Sequence, residues 1–254
     1  AAFRVNARRM KRRERELNRL IEARTDQLRI ANNNLREYSR KLESASMTDP
    51  LTGLWNRRYF GEEVRSQLRD FHRNNAAGLH PGHCMLVALV DLDLFKRIND
   101  TYGHDAGDRV LRQFADFLRA LVHPRDHVLR WGGEEFLLVF QPLPESEVTA
   151  LATRIRDSLH RRRFTLENGE PVALTCSMGL AVYPPCEDGD ADTNWELALG
   201  LADKGLYAGK EAGRDSWFLI SARAPAAQLL AKMAVDLDDL AAAGHVAVSS
   251  SAAT

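Results

Sequence analysis

Two acidic stretches have the residue types and setting to do chemistry. One is Asp91-Leu92-Asp93, which closes an apolar run, and the other is Glu134-Glu135, directly after the paired glycines Gly132 and Gly133. Carboxylates from two distant stretches, with a backbone carbonyl such as that of Leu92 beside them, make a hard-oxygen site suited to Mg²⁺ or Mn²⁺. Such sites leave coordination positions to water and substrate phosphates, and two ions about 4 Å apart can clamp the attacking and leaving oxygens of a phosphoryl transfer. The glycines add no side chains, which leaves room for a bulky anionic ligand to bring a metal to Glu134. Neighbouring strand residues point to opposite faces, so only one of Glu134 and Glu135 is expected to look into the site. Taken singly, each stretch also has a bland reading, as a solvated hairpin or a strand ending in a surface acid.

Other residues could hold the rest of a nucleotide. The turn from Leu94 to Lys96 opens a short helix whose free N–H groups can receive phosphate, and Lys96 adds a point charge. Asn99 carries a donor and an acceptor, and the Asp108 carboxylate accepts from the N1–H and N2–H₂ edge that guanine has and adenine lacks. Lys210 and Arg214, four residues apart, would share a helix face and reach terminal phosphates. Alone, Asp108 is an ordinary residue for a helix start and the two cations are ordinary solvated charges.

The elements that must position these groups follow from pattern. The run 84–92 is apolar throughout and predicts a strand buried on both faces. Helices are expected over 57–75, from His104 to about 122, over 145–161 and over 193–209, with strands at 127–141 (the central hairpin), 172–183 and 216–220. That order predicts an α+β fold, a mainly antiparallel palm or ferredoxin-like sheet with flanking helices on one face. Residues 47–58 break any preceding helix at Pro50 and Gly53, and so act as a hinge.

Three parts are expected: an N-terminal dimerising helix at 1–46, a catalytic domain at 47–220, and an Ala/Ser-rich extension at 221–254. In the extension a helix around 225–243 is expected, and disorder from Ser249 to Thr254. In the first part Ile21, Leu28, Leu35 and Leu42 fill the a positions of a heptad, and Leu17, Arg24, Ala31, Tyr38 and Ala45 fill d. This reads as a parallel two-stranded coiled coil, hence a homodimer, with a marginal seam of the kind a two-state signalling helix needs. Residues 1–16 hold seven basic side chains against two acids, either as the solvated start of a helix or as a segment lying beside a membrane.

The 254 residues suffice for one well-buried domain with extensions, and 35 basic residues balance 35 acidic ones, so no global field favours nucleic acid. No apolar run reaches the ~18 residues needed to span a bilayer. Cys84, Cys176 and Cys186 lack metal-ligand spacing, and Cys84 and Cys176, inside apolar runs, read as core thiols in a reducing cytoplasm. The sequence begins at Ala1, as a piece of a longer, possibly membrane-bound sensor would.

Asp91-Leu92-Asp93-x-Phe95-Lys96-x-x-Asn99-Asp100, Gly103-His104-x-x-Gly107-Asp108 and Arg130-Trp131-Gly132-Gly133-Glu134-Glu135-Phe136 together resemble the GGDEF-domain diguanylate cyclases. Asp49-Pro50-Leu51-Thr52-Gly53-Leu54-x-Asn56-Arg57-Arg58 is similar to that family's N-terminal motif, and Leu206-Tyr207-Ala208-x-Lys210 with Gly213-Arg214 to its C-terminal one. The resemblance spans about 47–220. It implies condensation of two GTP into cyclic di-GMP with release of two pyrophosphates, across two facing domains. It implies that Asp91, the Leu92 carbonyl and Glu134 hold two Mg²⁺ or Mn²⁺ ions per site, with Glu134 also helping to deprotonate the attacking hydroxyl. Asn99 and Asp108 would recognise guanine, with His104 at the substrate, Lys96, Lys210 and Arg214 would contact its phosphates, and Glu135 would support from the opposite face. The family's inhibitory product site, Arg-x-x-Asp, corresponds here to His123 and Asp126. Histidine lacks the forked grip of arginine, so inhibition through this site is expected to be weak or absent. Two other readings stay open: a domain that binds nucleotide without turnover, and a nucleotidyl transferase of the same class with another product.

Overall fold

The computed structural model describes residues 24, 25, 27, 29, 32 and 47–251. The chain divides into two compact units, 1–46 and 47–254. The five described residues of the first unit are helical and exposed. The heptad seam over 17–45 and the basic run over 1–16 otherwise lie outside the described residues.

The second unit begins with a turn held by Asp49, whose carboxylate accepts from the Thr52 amide (2.8 Å) and hydroxyl (2.7 Å). Helix α1 starts at Arg57–Tyr59, capped by the Asn56 side chain, passes through one π-helical turn at Phe60–Val64 and continues over Arg65–Ala76. Strand β1 (His83–Leu92) is followed by α2 (Phe95–Tyr102) and α3 (His104–Leu121), then by β2 (His127–Gly132), β3 (Glu135–Pro144) and α4 (Val148–Arg161). A two-residue pair, β4 (Phe164–Thr165) and β5 (Pro171–Val172), stands apart from the main sheet. Strand β6 (Cys176–Tyr183), helix α5 (Ala191–Glu211) and β7 (Trp217–Ala222) follow.

The sheet has the order β2-β3-β1-β6-β7-β8, its last strand β8 being Val246–Ser250. Strand β1 lies at its centre, antiparallel to β3 and to β6, while β6 and β7 run parallel. Its near-unbroken apolar run is explained by burial on both sides. Leu86, Ala88, Val90 and Leu92 pack with Phe136, Leu138, Phe114 and Leu118 on one face, whereas Met85, Val87 and Leu89 pack with Leu137, Val139, Leu197 and Leu201 on the other. Helices therefore cover both faces, not one as the sequence pattern suggested. The alternation in β1 and β3 gives each strand two apolar faces, and each face needs its own cover.

The C-terminal stretch also differs from expectation. It forms α6 (Ala226–Ala231), α7 (Leu237–Ala242) and a strand, β8 (Val246–Ser250), that pairs antiparallel with β7. Ser249 and Ser250, expected to be disordered, are paired with Leu219 and Phe218. Leu229, Leu240 and Val246 are buried in the α5-side core, so short apolar anchors hold two short helices where one was expected around 225–243, and a strand beyond them.

Candidate active site

The hairpin between β2 and β3 turns one residue later than the paired glycines suggest. Gly132 is already paired with Glu135, so the link is Gly133-Glu134, with Gly133 in the left-handed region at φ +44°. A bulge between Arg130 and Gly132 shifts the register just before the turn. Glu134 is thus a turn residue, and its carbonyl oxygen accepts from the Leu92 amide at 3.3 Å, which brings it to the end of β1. Glu135 pairs directly with Asp91, and residues directly opposite in an antiparallel pair share a face. The expectation that the pleat turns Glu135 away from the site is corrected: alternation sets the faces only where both residues are in strand, and here one is not.

Asp91 is 6% exposed, and its Oδ2 receives Lys210 Nζ at 2.8 Å. Burial raises its pKa, the Lys210 ammonium lowers it, and the charges of Glu134 and Glu135 raise it again, leaving it above the ordinary carboxylate value. Lys210 sits in the last turn of α5, a helix capped at its start by the Asp190 carboxylate, which accepts from the Thr193 amide. A cavity of about 520 Å³ opens beside Glu135, Tyr207 and Lys210, bounded on its far side by Asp236 and Asp238.

The oxygen-rich edge fits a divalent cation. Asp91 is a buried carboxylate crowded by two further acids, an arrangement that one more positive charge would relieve. Among the described residues no three His, Cys, Asp or Glu side chains cluster as metal ligands. A metal here would therefore lean on two carboxylates, a backbone carbonyl and substrate phosphate, which is the habit of Mg²⁺.

The groups expected to hold a base come from α2 and α3. Asn99 is half-buried and lies against Gly107, where an added Cβ would collide with the Asn99 amide oxygen and meet the Phe95 ring at 3.1 Å. Asp108, the next residue, borders a cavity of about 650 Å³ with Tyr102, Asp105, Arg109 and Arg112. His104 is exposed at the first position of α3. Lys96 is exposed in the first turn of α2, whose preceding residue Leu94 has φ +56° and makes no side-chain cap. Lys210 is drawn to Asp91, whereas Arg214 is exposed on the turn after α5, at φ +71°.

Two features escaped the reading of motifs one by one. Arg130, at the end of β2, reaches Asp49 across the fold and also donates to the Gly133 carbonyl. The Asp-x-x-Thr spacing at 49–52 is a local capping signal, but it gives no hint of a distant cation. Asp93, the second acid of Asp-Leu-Asp, is 7% exposed and fully engaged by protein donors. At the position of the family's inhibitory site, Asp126 Oδ2 accepts from the His123 amide (2.8 Å) and Oδ1 from the Gln141 amide (2.9 Å).

The family described as "Diguanylate cyclase, GGDEF domain" matches residues 46–216. Diguanylate cyclase DgcP of Pseudomonas aeruginosa is 34% identical over 208 residues, 80% of this chain and 28% of that protein. The response regulator PleD of Caulobacter vibrioides is 38% identical over 193 residues, 76% of this chain and 38% of that one. The chain thus spans well under half the length of these relatives. Among solved structures, the coiled coil and GGDEF domain of DgcB from Caulobacter crescentus, crystallised with c-di-GMP, superposes with a TM-score of 0.56 at 29% identity, covering 77% of this chain and 96% of that one. The diguanylate cyclase SiaD of Pseudomonas aeruginosa, in complex with its activator SiaC, gives 0.55 at 31% identity, covering 84% of this chain and 76% of that one.

Proposed function

Since the chain belongs to the GGDEF diguanylate cyclase family, we propose that it condenses two GTP into cyclic di-GMP with release of two pyrophosphates. The observation that carries this reading is the convergence of Asp91, Glu134 and Glu135 at one sheet edge, with Lys210 bonded to Asp91. Each 3′-oxygen forms a bond to the other nucleotide's α-phosphorus, the bond to the bridging oxygen breaks, and pyrophosphate carries away the electron pair. Glu134, held in a two-residue turn at the end of β1, takes the hydroxyl proton. Asn99 and Asp108 hold the guanine edge, with His104 at the substrate. Lys96, Lys210 and Arg214 hold phosphate oxygens, with Lys210 leaving Asp91 to do so.

Asp91, Glu134 and the Leu92 carbonyl would hold Mg²⁺ or Mn²⁺, two ions per site. When bound, such ions neutralise phosphate charge and make the attacking hydroxyl more acidic. Glu135, on the Asp91 face, keeps the local charge negative enough to hold cations there.

One domain binds one GTP, so turnover needs two facing copies. The heptads over 17–45 would supply the dimer and raise the effective concentration of one domain at the other. The chain would be the cytoplasmic output part of a larger sensor, tethered to a membrane in the full-length protein. Among the described residues no helix is long and apolar enough to cross a membrane. The parts would be the signalling helix at 1–46, the catalytic domain at 47–220 and the extension at 221–254.

The test is to incubate the purified chain with GTP and Mg²⁺ and separate the nucleotides by chromatography, with Glu134→Gln alongside. One cyclic di-GMP per two GTP from the parent, and none from the variant, is expected. A parent that stays silent even with 1–46 replaced by an ideal zipper would instead be a nucleotide-binding module.

A further inference from the structure

Asp93 lies two residues after Asp91 and invites reading as another metal ligand. Its geometry says otherwise. Oδ1 accepts from the Ser177 hydroxyl at 2.7 Å, while Oδ2 accepts from the Thr175 hydroxyl at 2.8 Å and from the Asp215 amide at 3.0 Å. Its own amide donates to the Thr175 carbonyl at 3.0 Å. One buried carboxylate thus ties three chain segments together: the end of β1, the start of β6, and the turn that follows α5.

The backbone around it is unusual in a consistent way. Among the described residues the non-glycine positions in the left-handed region are Leu94 (φ +56°), Arg214 (φ +71°) and Asp215 (φ +48°). Leu94 adjoins Asp93 in sequence, and Asp215 donates to its carboxylate. Left-handed backbone at side-chain-bearing residues costs free energy and persists where surrounding contacts impose it. Two such residues in succession are held by the Asp215 amide on Asp93, by the Arg214 amide on the Gly209 carbonyl (2.9 Å) and by the Asp215 carboxylate on His160 (2.7 Å). What the turn presents to solvent is the Arg214 side chain, immediately beyond the helix end that places Lys210 on Asp91.

We propose that Asp93 is a positioning residue that acts through Arg214: it fixes the 213–215 turn so that the guanidinium meets the terminal phosphates of the nucleotide. The proposal rests on the cyclase reading above. An Asn in its place keeps the size but has a single accepting oxygen and no charge, so its hold on the Asp215 amide weakens and the turn can relax to ordinary backbone.

The decisive comparison is between nucleotides with and without terminal phosphates. Calorimetric titration with Mg²⁺ would use 3′-deoxy-GTP and 3′-deoxy-GMP, which lack the attacking hydroxyl and so report binding alone. Asp93→Asn is expected to weaken 3′-deoxy-GTP about tenfold, the loss of one charge-assisted phosphate contact, and to leave 3′-deoxy-GMP unchanged. It should add nothing in an Arg214→Ala background. Equal weakening of both nucleotides, or full additivity with Arg214→Ala, would show a merely structural Asp93 and overturn the proposal. If Asp93→Asn does not fold, Thr175→Val decides the matter: it removes one donor to the same oxygen and should give the same selective loss, only smaller. A parent that holds 3′-deoxy-GTP no better than 3′-deoxy-GMP would defeat the cyclase reading itself, an outcome distinct from a discriminating parent whose variants keep the discrimination.

Discussion

Arg130 and Asp49 form an ion pair across the fold, Nη1 to Oδ1 at 3.1 Å and to Oδ2 at 3.2 Å, with side chains 16% and 17% exposed. The same guanidinium donates to the Gly133 carbonyl through Nε (2.9 Å) and Nη2 (2.8 Å). One side chain therefore clamps the turn that carries Glu134 and fastens it to the segment where the folded unit begins. Burial disfavours the Asp49 anion, but the Thr52 hydroxyl and amide and the Arg130 charge outweigh it and hold the carboxyl below its usual range.

Breaking this clamp should damage activity more than folding. Arg130→Ala frees the hairpin turn and strands a part-buried carboxylate, at roughly 2 kcal/mol. A double-mutant cycle with Asp49→Asn should return a coupling of about 1 kcal/mol or more in urea unfolding. Because the folded pKa of Asp49 is depressed, its contribution is present above the ordinary 3.8 and fades as pH falls through the lower folded value. Equal stability of Arg130→Ala and parent at pH 7 would remove this account.

Asp91 has the opposite sign. Its folded pKa is raised, so the ionised form is worse off in the fold than in the unfolded chain. Asp91→Asn should therefore stabilise the protein at pH 7, read as a higher Tm, while abolishing turnover. Lys210, about one-third exposed, can return to water when its partner is lost. The gain should be full above the raised pKa and vanish below 3.8, where the carboxyl is protonated in both states. A variant less stable than the parent at pH 7 would mean that the Lys210 pair outweighs burial.

Much of this was legible in the sequence, for identifiable reasons. Strand β1 announced itself because a run buried on both faces needs no alternation, and the run 84–92 has none. The coming together of Asp91 and the hairpin followed from sheet logic. What failed was counting across a turn: the bulge before Gly132 and the two-residue link moved Glu134 out of the strand and set Glu135 opposite Asp91. The helices' division between two faces depends on which apolar set each helix covers, and no local pattern encodes that. Strand β8 was hidden because its two valines, Val246 and Val248, stand alone in an Ala- and Ser-rich stretch, and the core that buries Val246 is completed by distant residues such as Leu229 and Leu240. Asp93 could not be distinguished from a ligand until its three donors, all far away in sequence, were in place.

Gly107 is expected to govern base recognition through Asn99. An added methyl at 107 would displace the Asn99 amide, whose side chain can swing aside, so the fold loses little; alanine in a helix interior even returns up to about 1 kcal/mol. Gly107→Ala should keep its Tm within a few degrees while the KM for GTP rises about tenfold, equivalent to the loss of one or two hydrogen bonds to the base. Discrimination against ATP should shrink with it. An unchanged KM together with an unchanged Tm would show that Asn99 does not touch the base.

The inhibitory position should be silent, and the geometry adds a reason to the missing arginine. Each Asp126 oxygen accepts one backbone amide, from His123 and from Gln141, which pins the carboxylate to its own loop, and His123 Nδ1 accepts from the Arg125 amide at 3.3 Å. A product molecule would meet this pinned carboxylate with only an imidazole beside it in place of a bidentate guanidinium. Cyclic di-GMP is thus expected to inhibit turnover weakly, and His123→Ala should change its potency by less than about twofold. His123→Arg should strengthen inhibition, because it supplies the missing bidentate donor beside an Asp126 that can still accept. Product inhibition in the micromolar range that His123→Ala abolishes would mean that the loop opens on binding, and this prediction would be lost.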